Sequence, residues 1–323
     1  MQTEILDYRF TTEWDLKSFL SDETFNVNLQ PKFPSVIASI SNFDLISAPN
    51  AWRDFMSGKR RGKPSEILDV FPASIARRAG EYLGLTGESI IVNATCASGL
   101  YAFHIAGLYS QTFNSPVVVI GADNVNSPFD LWRFSSLGAL HNETGRPFDN
   151  SSKGFKMGVG ASVFLVKHPS VKHHLAPKAT IIKSAFYTNN SLITTPGDAD
   201  DIINNLPGID YKHIDLWNAH ATGTPVGDAV EYDYFQKTIK QDIPIVGYKG
   251  HIGHCMLAAS AMEIALALDG KKNNVLLPNN ILGDKIVNDD RIITAPTSFP
   301  YKKMFKASLG FGGKTAVAEI DLY

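Results

Sequence analysis

The sequence has few of the features that mark secreted, membrane or nucleic-acid-binding proteins. Two cysteines among 323 residues cannot form a disulfide scaffold, so a reducing cytoplasm is the expected location. No uncharged apolar run approaches the length of a membrane-spanning helix, and the first residues, MQTEILDYRF, lack the pattern of a signal peptide. A formal net charge of −2 gives no general attraction for nucleic acid or an anionic membrane. We expect a soluble protein that binds neither.

The composition and periodicity are those of a packed α/β protein. Hydrophobic residues make up 44% of the chain and charged residues 19%, which is ordinary for a globular core. Short Val- and Ile-rich runs such as VIAS (36–39), PVVVI (116–120) and SVFLV (162–166) are typical of strands. Helical patterns, for example at 98–109 and 255–267, lie between such runs. This alternation predicts an α/β fold with largely parallel sheets.

An internal repeat is visible in the sequence. VNATCASGLYAFHIAGL (92–108) reads as a strand, a turn and an alanine-rich helix, and IVGYKGHIGHCMLAASAMEIALAL (245–268) has the same construction. Each is followed by a Gly-rich turn and a strand, in GVGASVFLVK (158–167) and GFGGKTAVAEIDLY (310–323). Any α/β protein produces isolated echoes of this kind. Two pairs in the same order at similar offsets favour a duplicated unit.

The expected halves are residues 1–170 and residues 171–323. Two related halves packed face to face would place equivalent helix N-termini near a central pseudo-dyad. In that arrangement Cys96 of the first half and His254 of the second half would meet, although they are far apart in sequence.

Cys96 stands where a predicted strand meets a predicted helix. Unpaired N–H groups at a helix N-terminus favour an anion, so we expect a lowered thiol pKa and a nucleophilic sulfur. A buried structural cysteine is the commoner fate of an isolated cysteine, and Cys96 alone does not separate the two readings.

Two further segments supply candidate partners for this thiol. In DLWNAHATGTP (215–225), His220 follows a strand at the sheet edge where α/β proteins carry their chemistry, and the hydroxyls of Thr222 and Thr224 follow in a loop. A helix is expected to start near Asp228, which could cap it or bias its dipole. A hydrogen-bonded loop histidine is the alternative reading of His220.

In GYKGHIGHCMLAAS (247–260), Lys249 and His254 lie in a Gly-rich turn, where a lysine can bias the protonation of its neighbours. His251, His254 and Cys255 also suggest a metal site. No second Cys/His cluster at ligand spacing accompanies them, so we expect no metal, and we expect Cys255 in the core.

The segment SLGFGGKTA (308–316) places Phe311 among glycines. Glycines allow the backbone to approach a ligand closely and to offer an N–H group to an oxyanion. The alternative is a tight turn with a buried phenylalanine.

Together these segments resemble the β-ketoacyl-acyl-carrier-protein synthases of the thiolase superfamily, in particular the elongating ketosynthases. The resemblance is carried by TCASG, GRPFDNSSKGFKMGVGA, NAHATGTP, KGHIGH and GFGG, in that order, over roughly residues 35 to 323. It implies the thiolase fold, an α/β fold whose duplicated βαβαβαββ halves form a five-layered α-β-α-β-α sandwich.

The resemblance also implies a 3-oxoacyl-carrier-protein synthase, an acyltransferase with catalytic Cys96, His220, His254 and Lys249. Cys96 would accept an acyl group, and its N–H and that of Phe311 would hold the oxyanion. The two histidines would then stabilise the enolate formed when a malonyl thioester loses carbon dioxide.

For substrate binding, the resemblance implies that Thr222 and Thr224 touch the phosphopantetheine arm and that Phe311, between Gly310 and Gly312, acts as a gate. Glu263 matches a supporting carboxylate. The substrates would arrive on acyl carrier protein, so no separate cofactor is expected, and the pathway would make fatty acids or polyketides and polyenes. The segment GKRRGK (58–63) could help to dock the acidic carrier, although a solvated loop is the more common explanation of such charges. A homodimer, or a heterodimer with a related ketosynthase subunit, is expected.

Several positions depart from the family pattern. Val159 replaces a glutamate, Ala221 a glycine and Leu309 a phenylalanine, Ser260 interrupts a small-residue motif, and the chain before Cys96 is short. Two alternatives therefore stay open: a non-condensing partner subunit resembling a chain-length factor, and a thiolase-fold acyltransferase that passes acyl groups to an amine or alcohol.

Overall fold

The computed structural model describes residues 1–13, 18–19, 35–40, 54, 56–58, 72–124, 128–141, 145–190, 194, 197–206 and 208–323. Of the basic segment GKRRGK only Gly58 is among them, so the docking role expected for that segment lies outside the described residues. In the described parts of the chain, no helix has both the length and the apolar character needed to cross a bilayer.

The described residues form alternating strands and helices. The strands are β1 (Thr3–Thr11), β2 (Ser35–Ile40), β3 (Ser89–Ile91), β4 (Val117–Asn124), β5 (Val159–Lys167), β6 (Ala179–Thr188), β7 (Leu216–Asn218), β8 (Ile245–Val246), β9 (Lys303–Gly310) and β10 (Lys314–Leu322). The helices are α1 (Pro72–Tyr82), α2 (Ser98–Phe113), α3 (Pro128–Ser136), α4 (Ala199–Asn205), α5 (Pro225–Thr238), α6 (Lys249–Ile252) and α7 (Ala259–Asn273).

The strand order repeats between the two halves of the chain. The strands form one ten-stranded sheet in the order β3-β2-β4-β5-β1-β6-β10-β9-β7-β8. Read outward from the centre, β1-β5-β4-β2-β3 of the first half matches β6-β10-β9-β7-β8 of the second, with the same parallel and antiparallel pairs. This repetition supports our proposal that residues 1–170 and 171–323 are the two duplicated units.

The expectation of largely parallel sheets is wrong. Only the outer pairs of each half are parallel, and the pairs nearer the centre, including β4–β5 and β9–β10, are antiparallel. The physical reason for β9–β10 is the short turn at residues 311–313, since only antiparallel strands can be joined so tightly. The strands β1 and β9 were not anticipated, because charged residues interrupt their apolar pattern.

Five layers result from this topology, as the resemblance to the thiolase fold implies. Helix α1 covers the outer face of the first half, where Ala76 and Ala79 pack with Val118 and Ile120. On the far side, aromatic residues of α5 pack against Trp217 on the outer face of the second half. Between the two halves of the sheet lie α2 and α7, within one continuous apolar cluster.

The helices α2 and α7 approach each other closely at Gly99. A Cβ at this position would lie 2.8 Å from the backbone nitrogen of Ala261 and 3.0 Å from the Cβ of Ser260. Real Cβ atoms do not approach a backbone that closely, so glycine is required there. Helix α2 begins shortly after Cys96 and α7 begins shortly after His254. This contact between the helices therefore helps to set the distance between the two predicted catalytic residues.

Candidate active site

Cys96 lies in a turn between β3 and α2, one residue before the N-cap position of the helix, which is Ala97. The preceding residue, Thr95, has a φ of 51°, in the left-handed region that non-glycine residues rarely occupy. The Thr95 hydroxyl lies within hydrogen-bonding distance of the Phe311 carbonyl, at 3.0 Å. The strained turn is thereby tied to the Gly-rich turn that carries Phe311.

The sulfur of Cys96 is buried, and burial raises the pKa of its thiol to about 11. The charge of Lys249 and the backbone N–H groups of Phe311 and Cys96 oppose this rise without overcoming it. The expectation of a lowered pKa is therefore wrong for the resting protein, because the cost of desolvating a thiolate exceeds these favourable interactions. The same two N–H groups are those expected to form the oxyanion hole.

His254 brings the second half of the chain to the sulfur. Its Nε2 lies 3.2 Å from Cys96 Sγ. Its Nδ1 accepts a hydrogen bond from the backbone N–H of Met256 at 3.2 Å, so the neutral ring carries its proton on Nε2. The first half also holds the backbone here, because the N–H of His254 donates to the Lys156 carbonyl and the N–H of Gly158 donates to the His254 carbonyl.

His220 lies on the opposite side of the same centre, with its ring centroid 5.5 Å from that of His254. Its backbone N–H donates to Glu231 at 2.6 Å, and Lys249 Nζ lies 3.3 Å from its Nδ1. A lysine ammonium can only donate, so Nδ1 of His220 accepts and its Nε2 carries the proton. Ala221, which follows, has a φ of 32°, a conformation easier for the glycine that the family prefers there.

A buried ion cluster lies behind the histidines. Lys249 Nζ is 2.5 Å from Glu263 Oε1, and Lys306 Nζ is 2.7 Å from Glu263 Oε2. Glu231 is also buried, and its two oxygens accept the N–H groups of His220 and Ala221. Glu231 and Lys306 were not predicted from the sequence. The sequence shows a lysine between the apolar residues Phe305 and Ala307, and this becomes a signal only once β9 is recognised as a strand.

The electrostatic environment keeps both imidazoles neutral. Burial lowers the pKa of His220 well below its usual value, and the charges of Lys249, His254 and Lys306 lower it further. Burial, Lys249 and Lys306 likewise lower the pKa of His254. Two neutral rings with occupied Nδ1 atoms therefore present Nε2–H groups, which can donate hydrogen bonds but cannot accept a proton.

Asp228 does not cap the helix, because α5 begins at Pro225, with Thr224 at the N-cap position. It lies in the first turn of α5, the position of the other expected role, in which an acidic side chain biases the helix dipole. Its carboxylate instead accepts the backbone N–H groups of Phe148 and Gly223, at 2.8 and 3.1 Å. Burial raises the pKa of this carboxyl to about 7. Asp228 thus fixes the loop that follows His220.

A cavity of about 280 Å³ opens onto the sulfur. Most of the predicted site residues line it: Cys96, His220, Thr222, Thr224, His254, Gly310 and Phe311. Lys249 lies behind His220 and Gly312 lies outside the wall, so these two do not line the cavity. The hydroxyls of Thr222 and Thr224 are 2.8 Å apart. A Cβ on Gly310 would collide with the Thr95 hydroxyl and approach Cys96 N to 3.2 Å, which explains glycine beside the sulfur.

The residues considered for a metal site do not converge. Within the described ranges, the group of three potential metal ligands whose ligand atoms lie within 4.8 Å of one another consists of Cys96, His220 and His254. His251 is exposed and faces the Pro278 carbonyl, and Cys255 is buried in a separate apolar cluster, as expected.

Comparisons with known proteins agree with this geometry. The family model "Beta-ketoacyl synthase, N-terminal domain" matches residues 34–171, and "Beta-ketoacyl synthase, C-terminal domain" matches residues 201–281. Together the two models match more than half of the chain.

Similar proteins are found among polyketide synthases. The highly reducing polyketide synthase GPY1 of Gibberella fujikuroi is 31% identical over 280 residues, which cover 77% of this chain and 11% of that protein. The highly reducing polyketide synthase stpks1 of Strobilurus tenacellus is 29% identical over 250 residues, 73% of this chain and 9% of that protein. The chain thus spans about a tenth of the length of these curated relatives.

A solved structure shows the same fold. It is a chain from a complex of a type II polyketide synthase acyl-carrier protein with its ketosynthase bound to the hexaketide. The TM-score is 0.79 at 21% identity, over 97% of this chain and 86% of that chain. The thiolase fold expected from the sequence is confirmed. This chain belongs to the β-ketoacyl synthases of the thiolase superfamily.

Proposed function

We propose that this chain is a condensing enzyme that lengthens an acyl chain by two carbons in polyketide synthesis. The observation that carries the proposal is the 3.2 Å contact between His254 Nε2 and Cys96 Sγ, in a cavity that His220 also lines. Two neutral imidazoles directed at one point suit an oxygen that gains negative charge. The similarity to polyketide synthases favours that pathway over fatty acid synthesis.

In the first step, the Cys96 sulfur attacks the carbonyl carbon of a carrier thioester. A C–S bond to Cys96 forms, the C–S bond to the phosphopantetheine arm breaks, and the Cys96 proton ends on the departing sulfur. The N–H groups of Cys96 and Phe311 stabilise the tetrahedral oxyanion. His254 does not accept the thiol proton, because its Nε2 already carries one.

In the second step, a malonyl thioester enters the cavity and loses carbon dioxide. The bond between its carboxylate and methylene carbons breaks, and the electron pair passes into an enolate whose oxygen accepts hydrogen bonds from His220 and His254. The enolate carbon attacks the acyl carbon on Cys96. A C–C bond forms, the C–S bond breaks, and the Cys96 thiolate takes one proton from solvent. A 3-oxoacyl thioester leaves.

We propose that both substrates arrive on the phosphopantetheine arm of an acyl carrier protein. The paired hydroxyls of Thr222 and Thr224 on the cavity wall can hydrogen-bond the amides of such an arm. Phe311, which stacks on Phe134 at 6.1 Å and is flanked by Gly310 and Gly312, would move to admit the second substrate. The arm brings its own reactive thioester, so this chemistry uses no separate cofactor.

The test supplies the protein with an acyl-carrier thioester and a malonyl-carrier thioester. We expect carbon dioxide and a 3-oxoacyl product, with the starting acyl group found on Cys96 by mass spectrometry of the intact protein. Acylation of Cys96 without condensation would favour an acyltransferase that uses an amine or alcohol. If the protein is not acylated and produces no condensation product, the result would favour a non-condensing partner subunit.

A further inference from the structure

Lys306 is a fully buried lysine in the middle of β9. Along this strand Phe305 and Ala307 pack on the outer face of the sheet, so Lys306 points inward toward α7. Besides its ion pair with Glu263, its Nζ donates to the carbonyls of Ala219 at 3.2 Å and of Ala307 at 2.7 Å. Burying an ammonium is costly without such partners.

These contacts reach His220 by two routes. The carbonyl of Ala219 belongs to the residue immediately before His220, so Lys306 holds the end of the strand segment that carries the ring. Glu263, the ion partner of Lys306, also binds Lys249, whose ammonium faces His220 Nδ1. Lys306 thus supports both the backbone and the ring of this histidine.

The charges around Lys306 come from several elements. The carboxylates are Glu263 on α7 and Glu231 on α5, the second ammonium is Lys249 on α6, and the two imidazoles complete the set. Two ammonium groups thus face two carboxylates. Loss of the Lys306 charge would leave one ammonium between two carboxylates, which favours protonated imidazoles and opposes a developing enolate.

We propose that Lys306 is a positioning residue for condensation, which holds His220 in place and supplies the charge that keeps both imidazoles in their neutral, Nε2–H form. This inference rests on the proposed function. It predicts that Lys306 matters little for acylation of Cys96, since that step relies on the backbone N–H groups of the oxyanion hole.

The wild-type protein offers a first test through pH. Burial lowers the pKa of Lys306 to about 8, so its ammonium is present below that pH and is lost above it. The pKa of the Cys96 thiol lies near 11, so acylation should accelerate over the same range as thiolate becomes available. Both rings stay neutral in this range, so the lost charge acts on the developing enolate. We therefore expect condensation on pre-acylated enzyme to decline above about pH 8 while acylation rises.

The second test compares Lys306→Met, which removes the charge at similar length, with Lys306→Arg, which keeps it. The matched control is Lys303→Met, a partly exposed lysine on the same strand paired with Asp321. We expect Lys306→Met to slow condensation by about 10- to 100-fold and to leave acylation largely intact. Lys306→Arg should restore condensation and remove the decline above pH 8.

A readout independent of catalysis is the titration of the His220 and His254 rings by nuclear magnetic resonance, assigned from the signals lost in His220→Asn and His254→Asn. We expect both midpoints to move to higher pH in Lys306→Met and to stay at the wild-type value in Lys303→Met. Unmoved midpoints would overturn the inference even if the enzyme condenses. Absence of condensation in the wild type would count against the proposed function, and the midpoints would still decide the role of Lys306.

If Lys306→Met does not fold, the titration of the His220 ring signal in the wild-type protein tests the role of Lys306. The His220 ring signal should then shift as the pH passes about 8, where its neighbour loses charge. A His220 signal that stays constant over the pH range in which condensation on the pre-acylated enzyme declines would overturn the inference.

Discussion

The two halves of the sheet share one strand order but bring different chemistry to the cavity. In the first half, the segment from β3 to α2 supplies a sulfur, and the strand β4 beside it is apolar from Val117 to Ile120. In the second half, the segment from β8 to α7 supplies His254, and the corresponding strand β9, also eight residues long, carries the buried Lys306.

The difference shows that a repeated backbone does not require repeated electrostatics. In the first half, burial raises the pKa of the Cys96 thiol and so keeps the sulfur protonated in the resting protein. The second half carries the buried charges that set the protonation of the imidazoles. Variants in one half should therefore affect one step of the reaction more than the other.

The largest expected effect is that of Cys96→Ala, which removes the contribution of the first half. The acyl adduct on the intact protein should disappear completely, because no other group in the cavity can form the thioester. Mass spectrometry after incubation with an acyl-carrier thioester measures this. Cys255→Ala is the matched control, since that cysteine is buried away from the cavity, and its adduct should remain.

The next effect is that of His254→Ala, which tests the second half alone. Condensation should fall by about 100-fold or more, because one of the two donors to the enolate oxygen is lost. Acylation of Cys96 should continue, and the comparison of adduct formation with carbon dioxide release separates the steps. His251→Ala, an exposed histidine three residues earlier, should behave as the wild type. Equal loss of both steps in His254→Ala would contradict the division of labour between the halves.

A smaller effect is expected where the halves touch, at Gly99. Gly99→Ala should lower the free energy of unfolding by about 1–3 kcal/mol, because the new Cβ would collide with the backbone of Ala261. Chemical denaturation measures this loss. Leu108→Ala on the same helix is the control, since Leu108 is exposed and its truncation should cost little. Unchanged stability in Gly99→Ala would mean that the contact between α2 and α7 is looser than described.

The smallest expected effect concerns Asp228 and pH. Its pKa of about 7 lies above the ordinary value of 3.8, so the folded state retains a proton that the unfolded state releases. Its contribution to stability is full below pH 4 and is lost as the pH rises toward 7. In Asp228→Asn the melting temperature should therefore fall less between pH 5 and pH 7.5 than in the wild type. Asp233→Asn, an exposed change on the same helix, should leave the wild-type slope. If the melting temperature of Asp228→Asn falls as much as that of the wild type between pH 5 and pH 7.5, the raised pKa of Asp228 would be contradicted.

Most of the fold was predictable because both repeated units have recognisable local patterns of apolar runs and small-residue helices. The runs around Val119 and Val163 and the small-residue helices are dominated by short-range preferences and burial, which periodicity reports. The strand β1 was not predictable, because its polar positions read as a surface segment until β5 and β6 pair with it. The antiparallel centre of the sheet likewise depends on pairings that no local pattern specifies.

The site shows the same limit. Cys96, His220 and His254 each follow a strand and have a glycine within three residues, a signal that survives in a single sequence. The thiol pKa was predicted with the wrong sign, because the sequence displays the helix terminus but not the depth of burial. Lys306 and Glu231 were missed because their importance comes from partners on other elements, Glu263 above all, that only packing brings together.

The backbone lock between His254 and the segment from Lys156 to Gly158 has a consequence for recombination between relatives. The imidazole belongs to one half of the chain, yet the carbonyl and N–H groups that fix its peptide belong to the other. A chimera that exchanges one half would combine His254 from one parent with the segment from Lys156 to Gly158 from the other. Any parent supplies these backbone groups, but a Cβ on Gly253 would lie 2.7 Å from Gly158 Cα, so exchanged halves should pack correctly here only when both positions are glycine.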